Sequence, residues 1–218
     1  MLFRSTAEAT NATDTDAASE DILTGPDSDP VTLDIDGDEG VLLQVMTNIQ
    51  LDVFGFVQLD GSMAFKKATG SFVVTNGSTH ASTALSNVSY LEIGGHVNTA
   101  FAGVGSIGFE LEDVSFGILM VSDTKNTPTV TADDVNYMAL KADVGSAGLV
   151  GIDGLTATVT SLSVIVNKTS STTAPNAVLD FVNTAEATNA TDTDAASEDI
   201  LTGPDSDPVT LDIDGDEG

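Results

Sequence analysis

From Val41 to Phe65 every odd position carries a large apolar residue except Thr47, Gly55 and Gly61, a period of two sustained over 25 residues. Side chains alternate across a strand with that period, whereas a helix would scatter them round its axis. The segment is therefore extended, with its odd positions expected to face inward. An unbroken strand of this length would measure roughly 80 Å. Gly55 and Gly61 offer places to bulge or bend, so two or three strands, or one long bent strand, satisfy the pattern.

A weaker repeat lies further along, where residues 103–116 align with 151–164 at an offset of 48. In the first copy the apolar phase runs Phe109, Leu111, then slips to Val114, Phe116, Ile118. In the second it runs Ala157, Val159, then slips to Leu162, Val164, Val166. A slip in period-two alternation is the mark of a bulge or tight turn, so two copies of one strand-bend-strand element are predicted. The segments around Tyr90 and Tyr137 lead into them. Loops are expected at 75–80, 122–131 and 169–175, with one helical turn at 131–134. The fold class that follows is all-β, an elongated antiparallel β-sandwich or flattened barrel of long strands, with a β-solenoid as the alternative.

Residues 6–40 recur without a change at 184–218, an offset of 178. The chain thus reads as one 178-residue unit of a tandem array followed by the start of the next, part of something longer. Each copy holds 11 acids and no base, so 22 of the 34 acidic residues sit in the two copies, and the remaining 148 residues carry 12 acids against 6 bases. Residues 6–28 have too little apolar surface to offset their ordering entropy, whereas Val31-Thr-Leu-Asp-Ile35 alternates and reads as a strand of a folded body. The expected organisation is an acidic linker at 1–30, an all-β body at 31–182 and the opening of the next repeat at 183–218.

The net charge of −28 repels phosphate backbones and anionic lipid, and the largest basic cluster is Lys66-Lys67, so nucleic acid is excluded as a partner. The absence of cysteine removes disulfide frameworks, thiolate metal sites and thiol enzymes. No apolar run approaches the roughly 18 to 20 residues of a spanning helix, and Met1-Leu-Phe-Arg4 has no apolar segment behind it. Membrane insertion and a signal peptide are not expected.

Asp34, Asp36, Asp38 and Glu39, duplicated as Asp212, Asp214, Asp216 and Glu217, gather carboxylates within one turn, as a hard cation such as Ca²⁺ requires. The spacing departs from an EF-hand, and the competing reading is an Asp-Gly hairpin turn ahead of Val41. Asp14, Asp16, Glu20, Asp21, Asp27 and Asp29 could add ligands, but a run of exposed acids is usually just solvated and self-repelling. Gly103, Gly105 and Gly108 match a dinucleotide-binding glycine pattern, yet a strand follows instead of a helix, so they read as a bend. His80 and His96 lack a third ligand. Glu110 and Glu112 share a strand face and read as solvated rather than as a glycosidic pair. Asn11, Asn76, Asn87, Asn167 and Asn189 open glycosylation sequons, relevant only in a eukaryotic secretory host. No catalytic set emerges, and an enzyme is the least supported class.

The phrases Val53-Phe-Gly-Phe-Val-Gln-Leu-Asp-Gly61, Tyr137-Met-Ala-Leu-Lys141 and Gly148-Leu-Val-Gly-Ile-Asp-Gly-Leu-Thr156, preceded by Val31-Thr-Leu-Asp-Ile-Asp36, resemble repeats of giant bacterial cell-surface, adhesin-like proteins. That resemblance implies an extracellular or cell-surface structural repeat. The expected role is an extender whose partners are neighbouring repeats of the same chain, with calcium stiffening the acidic junctions. Two alternatives stand beside it. One is a self-assembling sheath or filament subunit that associates through strand edges. The other is a carbohydrate-binding module, for which Phe54, Phe56, Tyr90 and Tyr137 are few.

Overall fold

The computed structural model describes residues 20–22, 24, 29–33, 35, 41–125, 133–183 and 197–215. The chain divides into two compact units, Met1–Gly40 and Val41–Gly218. In the first, β1 (Glu20–Ile22) and β2 (Val31–Leu33) form an antiparallel pair with Glu20 opposite Leu33 and Ile22 opposite Val31. The alternation at Val31 does mark a strand, but its partner lies in the stretch whose composition reads as linker. One short apolar step at Ile22 and Leu23 is too brief to reveal a strand by periodicity.

The second unit is all-β and antiparallel, built of long strands. β3 (Leu43–Val53), β4 (Val57–Asn76), β5 (Ala81–Val104), β6 (Ile107–Asp123), β7 (Val135–Val150) and β8 (Ala157–Thr169) pair in sequence order into one open sheet, and β9 (Ala177–Leu179) joins the far end of β4. β10 (Glu198–Ile200) and β11 (Val209–Leu211) form a separate hairpin from the second copy of the repeat. The predicted loop at 75–80 is a turn in which Asn76 Oδ1 accepts from the backbone N–H groups of Ser78 and Thr79, at 3.0 and 3.2 Å. The loop at 169–175 follows β8 as expected. Most of the loop at 122–131 and half of the helical turn at 131–134 lie outside the described residues.

The long alternation resolves into two strands, because Val53 pairs with Val57 around the loop 54–56, where Phe54 and Gly55 take φ of 51° and 72°. Three loop residues preserve parity, so the odd positions stay on one face on both sides of the turn. Gly61 does not end the strand but sits at a bulge in the pairing, where the register against β5 shifts between Asp60 and Gly61. It remains inside β4, where a Cβ would overlap the His96 carbonyl oxygen of β5.

The two phase slips are bulges at equivalent places, Asp113 in β6 and Ser161 in β8, with φ of 53° and 59°. Both fall in one line across the sheet. Asn98, Asp113, Gly145 and Ser161 each drop out of the pairing, while Thr99 pairs Glu112, Glu112 pairs Ser146 and Ser146 pairs Thr160. One extra residue in each of four neighbouring strands flips all four together, so they keep mutual register. β4 has no such residue, so its own alternation stays continuous while its register against β5 shifts between Asp60 and Gly61, and again between Gly70 and Phe72.

Each face of the sheet can be followed across the strands. One row runs Val45, Phe65, Ile93, Ile118, Leu140, Val166, and this is the face of the odd positions of β3 and β4. It is not the inward face: Leu43, Val45, Leu51, Val53, Val57 and Phe65 are exposed. The buried core lies on the opposite face, where Ala68, Phe72, Val74, Leu85, Tyr90, Leu119 and Ala139 meet Leu179, Phe181, Ile200 and Leu211. Periodicity shows which residues share a face but carries no information on which face the rest of the chain returns to cover.

The two faces answer differently to truncation. Leu119→Ala, inside the core, is expected to cost about 2–5 kcal/mol, while Val45→Ala on the open face costs about 0.5 kcal/mol or less. Urea unfolding of the two variants measures the contrast.

Candidate functional site

The most elaborated site in the second unit is the seat where β10 and β11 lie on the sheet. Its floor is flat because Gly94 of β5 pairs with Gly117 of β6. A Cβ at Gly94 would overlap the Leu201 carbonyl oxygen, and one at Gly117 would stand 3.0 Å from Ile200 Cβ and 3.2 Å from Val209 Cβ. Glycine there admits the hairpin at backbone distance, and Ile200, Val209 and Leu211 become buried on it.

Polar contacts fix the hairpin at its ends. The Ser62 hydroxyl donates to the Thr202 carbonyl at 2.9 Å and lies 2.8 Å from the Ser206 hydroxyl. Gly203 faces the same serine so closely that a Cβ would overlap it. Lys141 Nζ donates to Asp212 Oδ1 at 3.0 Å. At the far end the buried Asp180 carboxylate accepts from the Thr75 hydroxyl, the Asn183 side-chain amide at 2.7 Å and the Asn183 backbone N–H at 3.0 Å. Burial pushes this carboxyl up, but the hydrogen bonds from Asn183, Thr75 and the Gly215 backbone outweigh it and hold it below its ordinary value.

Beneath the hairpin two acids meet. Glu92 of β5 and Glu198 of β10 are both buried. Burial first, then the charge of Glu92 and a hydrogen bond with it, raise Glu198 to about 8, and the nearby Lys66 offsets only part of this. The protons of such a pair leave in steps that belong to the pair. Lys66 Nζ also sits 5.9 Å from the centre of the Tyr90 ring. Burial foremost, together with Glu92, lifts the Tyr90 hydroxyl to about 12. Tyr90 packs edge-on to Phe72 with ring centres 5.3 Å apart.

Of the expected cation ligands, Asp34, Asp36, Asp38, Glu39, Asp216 and Glu217 lie outside the described residues. Asp212 is exposed and engaged by Lys141, and Asp214 is half-buried beyond it. These two do not by themselves form a cage, and among the described residues no group of three or more His, Asp or Glu side chains is arranged to hold a metal. Gly105, with φ of 63°, opens the two-residue loop between β5 and β6, the place where a tight hairpin takes glycine, as the bend reading expects. His96 lies 2.9 Å from the Ser115 hydroxyl and 3.2 Å from Asn98 Oδ1, while His80 occupies a turn after β4. Glu112 accepts from the Ser146 hydroxyl at 2.9 Å on an exposed surface. Tyr90 and Tyr137 are buried, so of the four aromatics considered for sugar stacking only Phe54 and Phe56 reach solvent.

Sequence reasoning did not single out Glu92, Glu198 or Asp180. Glu92 stands between Leu91 and Ile93 in the phase that alternation assigns to solvent, so nothing local distinguishes it from a surface acid. The identity of the two copies applies equally to all 35 of their residues, so it does not mark Glu198 either. No protein-family model, curated protein or solved structure matches the chain.

The seat has a pH dependence whose sign follows from these shifts. A carboxyl raised in the folded state contributes stability that is fully present below its unfolded value of 4.5 and declines as pH rises towards about 8. Asp180, held low, contributes above its ordinary 3.8 and loses that contribution as pH falls through its depressed value. The thermal midpoint is therefore expected to rise as pH drops from 8 to 5. General relief of the −28 charge acts in the same direction, so Glu198→Gln serves as the control. It should raise the midpoint at pH 8 and flatten the slope, and an unchanged slope would remove the pair as its cause.

Proposed function

We propose that the chain is a structural spacer repeat of a very large secreted or surface-attached bacterial protein, with the acidic repeated segment serving as the joint between bodies. The observation that supports this reading is the seating of β10 and β11. The second copy of the 35-residue repeat completes the core of the body before it, with Ile200 and Leu211 buried there. The compact unit Val41–Gly218 accordingly spans one full 178-residue period. A chain whose period equals its structural module can lengthen by adding modules, each interacting chiefly with its neighbours.

A second reading, assembly into a sheath or filament, draws on the open face and on β3. That strand is a sheet edge of 11 residues with no lysine or proline to discourage pairing. Calcium belongs to the first reading as a proposal, a cation that draws the junction carboxylates together and stiffens the joint.

Small-angle scattering on chains of one, two and three concatenated units distinguishes these readings. A spacer gives a maximum dimension that grows by a constant increment per unit and does not depend on concentration. Growth of the one-unit particle with concentration supports assembly instead, and dimensions that barely rise from one unit to three overturn the spacer. For calcium, the thermal midpoint is compared in EDTA and in millimolar Ca²⁺, with a variant changing Asp34, Asp36, Asp38, Asp212, Asp214 and Asp216 to Asn. A rise in the parent and not in the variant is the expected linkage, worth about 2.7 kcal/mol at a hundred times Kd. No rise in either leaves the segment a bare turn.

A further inference from the structure

The hairpin of β1 and β2 has the same sequence as that of β10 and β11 and the same internal geometry. Its pairs Glu20–Leu33, Asp21–Thr32 and Ile22–Val31 reproduce Glu198–Leu211, Asp199–Thr210 and Ile200–Val209. The loop bond is shared too: the Thr24 hydroxyl donates to the Asp29 carbonyl at 2.8 Å, as Thr202 does to Asp207 at 2.6 Å. The cover differs. Ile22, Val31 and Leu33 are 46, 54 and 45 % exposed, whereas Ile200, Val209 and Leu211 are 0, 6 and 0 % exposed. One hairpin has an apolar face in the open, and the surface that fits this face is the seat on the sheet.

The seat of this chain's own body is filled by its own second hairpin, so the first requires another. We propose that the β1–β2 hairpin plugs the seat of a second copy of the body, so that each body is closed by the hairpin that begins the following unit. Ile22, Val31 and Leu33 then lie over the Gly94–Gly117 floor, and Glu20 takes the place of Glu198 beside Glu92. The hairpin has its strand register and loop bond before docking, so it docks as a preformed element and the ordering cost of binding is small. The contact joins unlike surfaces, plug on seat, and such head-to-tail contacts generate open chains unless the rotation closes a ring. Assigning that second body to the preceding unit of one polypeptide rests on the spacer reading, whereas the fit of plug to seat does not.

The chain has no cysteine, so a single engineered pair reports the contact. Ser62 and Ser206 stand with their hydroxyl oxygens 2.8 Å apart in the seated hairpin, and Ser28 is the sequence equivalent of Ser206 in the first copy. A full-length chain carrying Ser62→Cys with Leu211→Asp, which ejects its own hairpin, is mixed at micromolar concentration with a full-length chain carrying Ser28→Cys, and oxidised. The expected product is a disulfide-linked pair of 22.3 kDa chains, falling by about tenfold or more when the Ser28→Cys chain also carries Leu33→Asp. No linked pair, or an equal yield with Leu33→Asp, overturns the proposal.

Should circular dichroism show that Leu211→Asp prevents folding, the Ser62→Cys chain with its native second hairpin takes its place. The tethered hairpin then competes at an effective concentration of about 1 mM. Linked product must therefore climb as the Ser28→Cys chain approaches that concentration, and its absence there overturns the proposal equally. Linked pairs without a constant length increment in the concatenated chains would sink the spacer reading and leave the plug. A constant increment without linked pairs would do the reverse.

Discussion

The second unit depends on one contact, a two-stranded hairpin lying on a floor made flat by two paired glycines. The hairpin's Ile200 and Leu211 belong to the same buried cluster as Leu119, Ala139 and Tyr90 on the core face of the sheet. Burying Ile200, Val209 and Leu211 contributes about 4.5 to 9 kcal/mol at the usual 1.5 to 3 kcal/mol per large aliphatic side chain. That is comparable with the whole net stability of an ordinary domain, about 5 to 15 kcal/mol. The hairpin is therefore part of the fold, and Leu179 of β9 and Phe181 are buried in the same core.

Charge is distributed so that the repeated segment is both highly acidic and, where it meets the sheet, partly neutralised. The repeated segment brings 11 acids and no base per copy, yet where the second copy meets the sheet it finds Lys141 for Asp212 and Lys66 near Glu198. These are two of only six basic residues in the chain. Lys66 offsets only part of the cost at Glu198, which is buried against Glu92 and holds its proton well above the usual carboxylate range. Its preference for the protonated form couples seating to pH, while the Asp180 carboxylate, supplied with hydrogen-bond donors, anchors the other end in its charged form.

How much of this was legible in the sequence varied with the range of the interaction. Period-two alternation identified β3 and β4, and the common phase slip located the bulges at Asp113 and Ser161, because both patterns are properties of consecutive residues. The turn reading of Gly105 follows the same local logic, whereas the burial of Tyr90 and Tyr137, which sequence alone offered as candidate stacking residues, is visible only in the tertiary structure. The side of the sheet that would be covered was not legible. Leu43, Val45 and Phe65 look like core by alternation, and only the placement of residues 177–183 and 197–215 puts the cover on the other face. Nor could composition reveal that Glu20–Ile22 pairs with Val31–Leu33, since three residues cannot display a period.

The amino-acid sequence alone determined the all-β class, the long antiparallel strands, the place of the shared bulge line and the 178-residue period, because strand geometry and exact repetition are written in neighbouring or identical residues. Tertiary structure decided the rest: which face is core, that Glu92 and Glu198 meet, and that the second copy of the repeat closes the body before it. The two hairpins make the reason plain. Identical residues in identical register leave Ile22 exposed and Ile200 fully buried, because burial is a property of what stands opposite a residue, and the sheet opposite Ile200 is assembled from strands more than a hundred residues away in part of its floor.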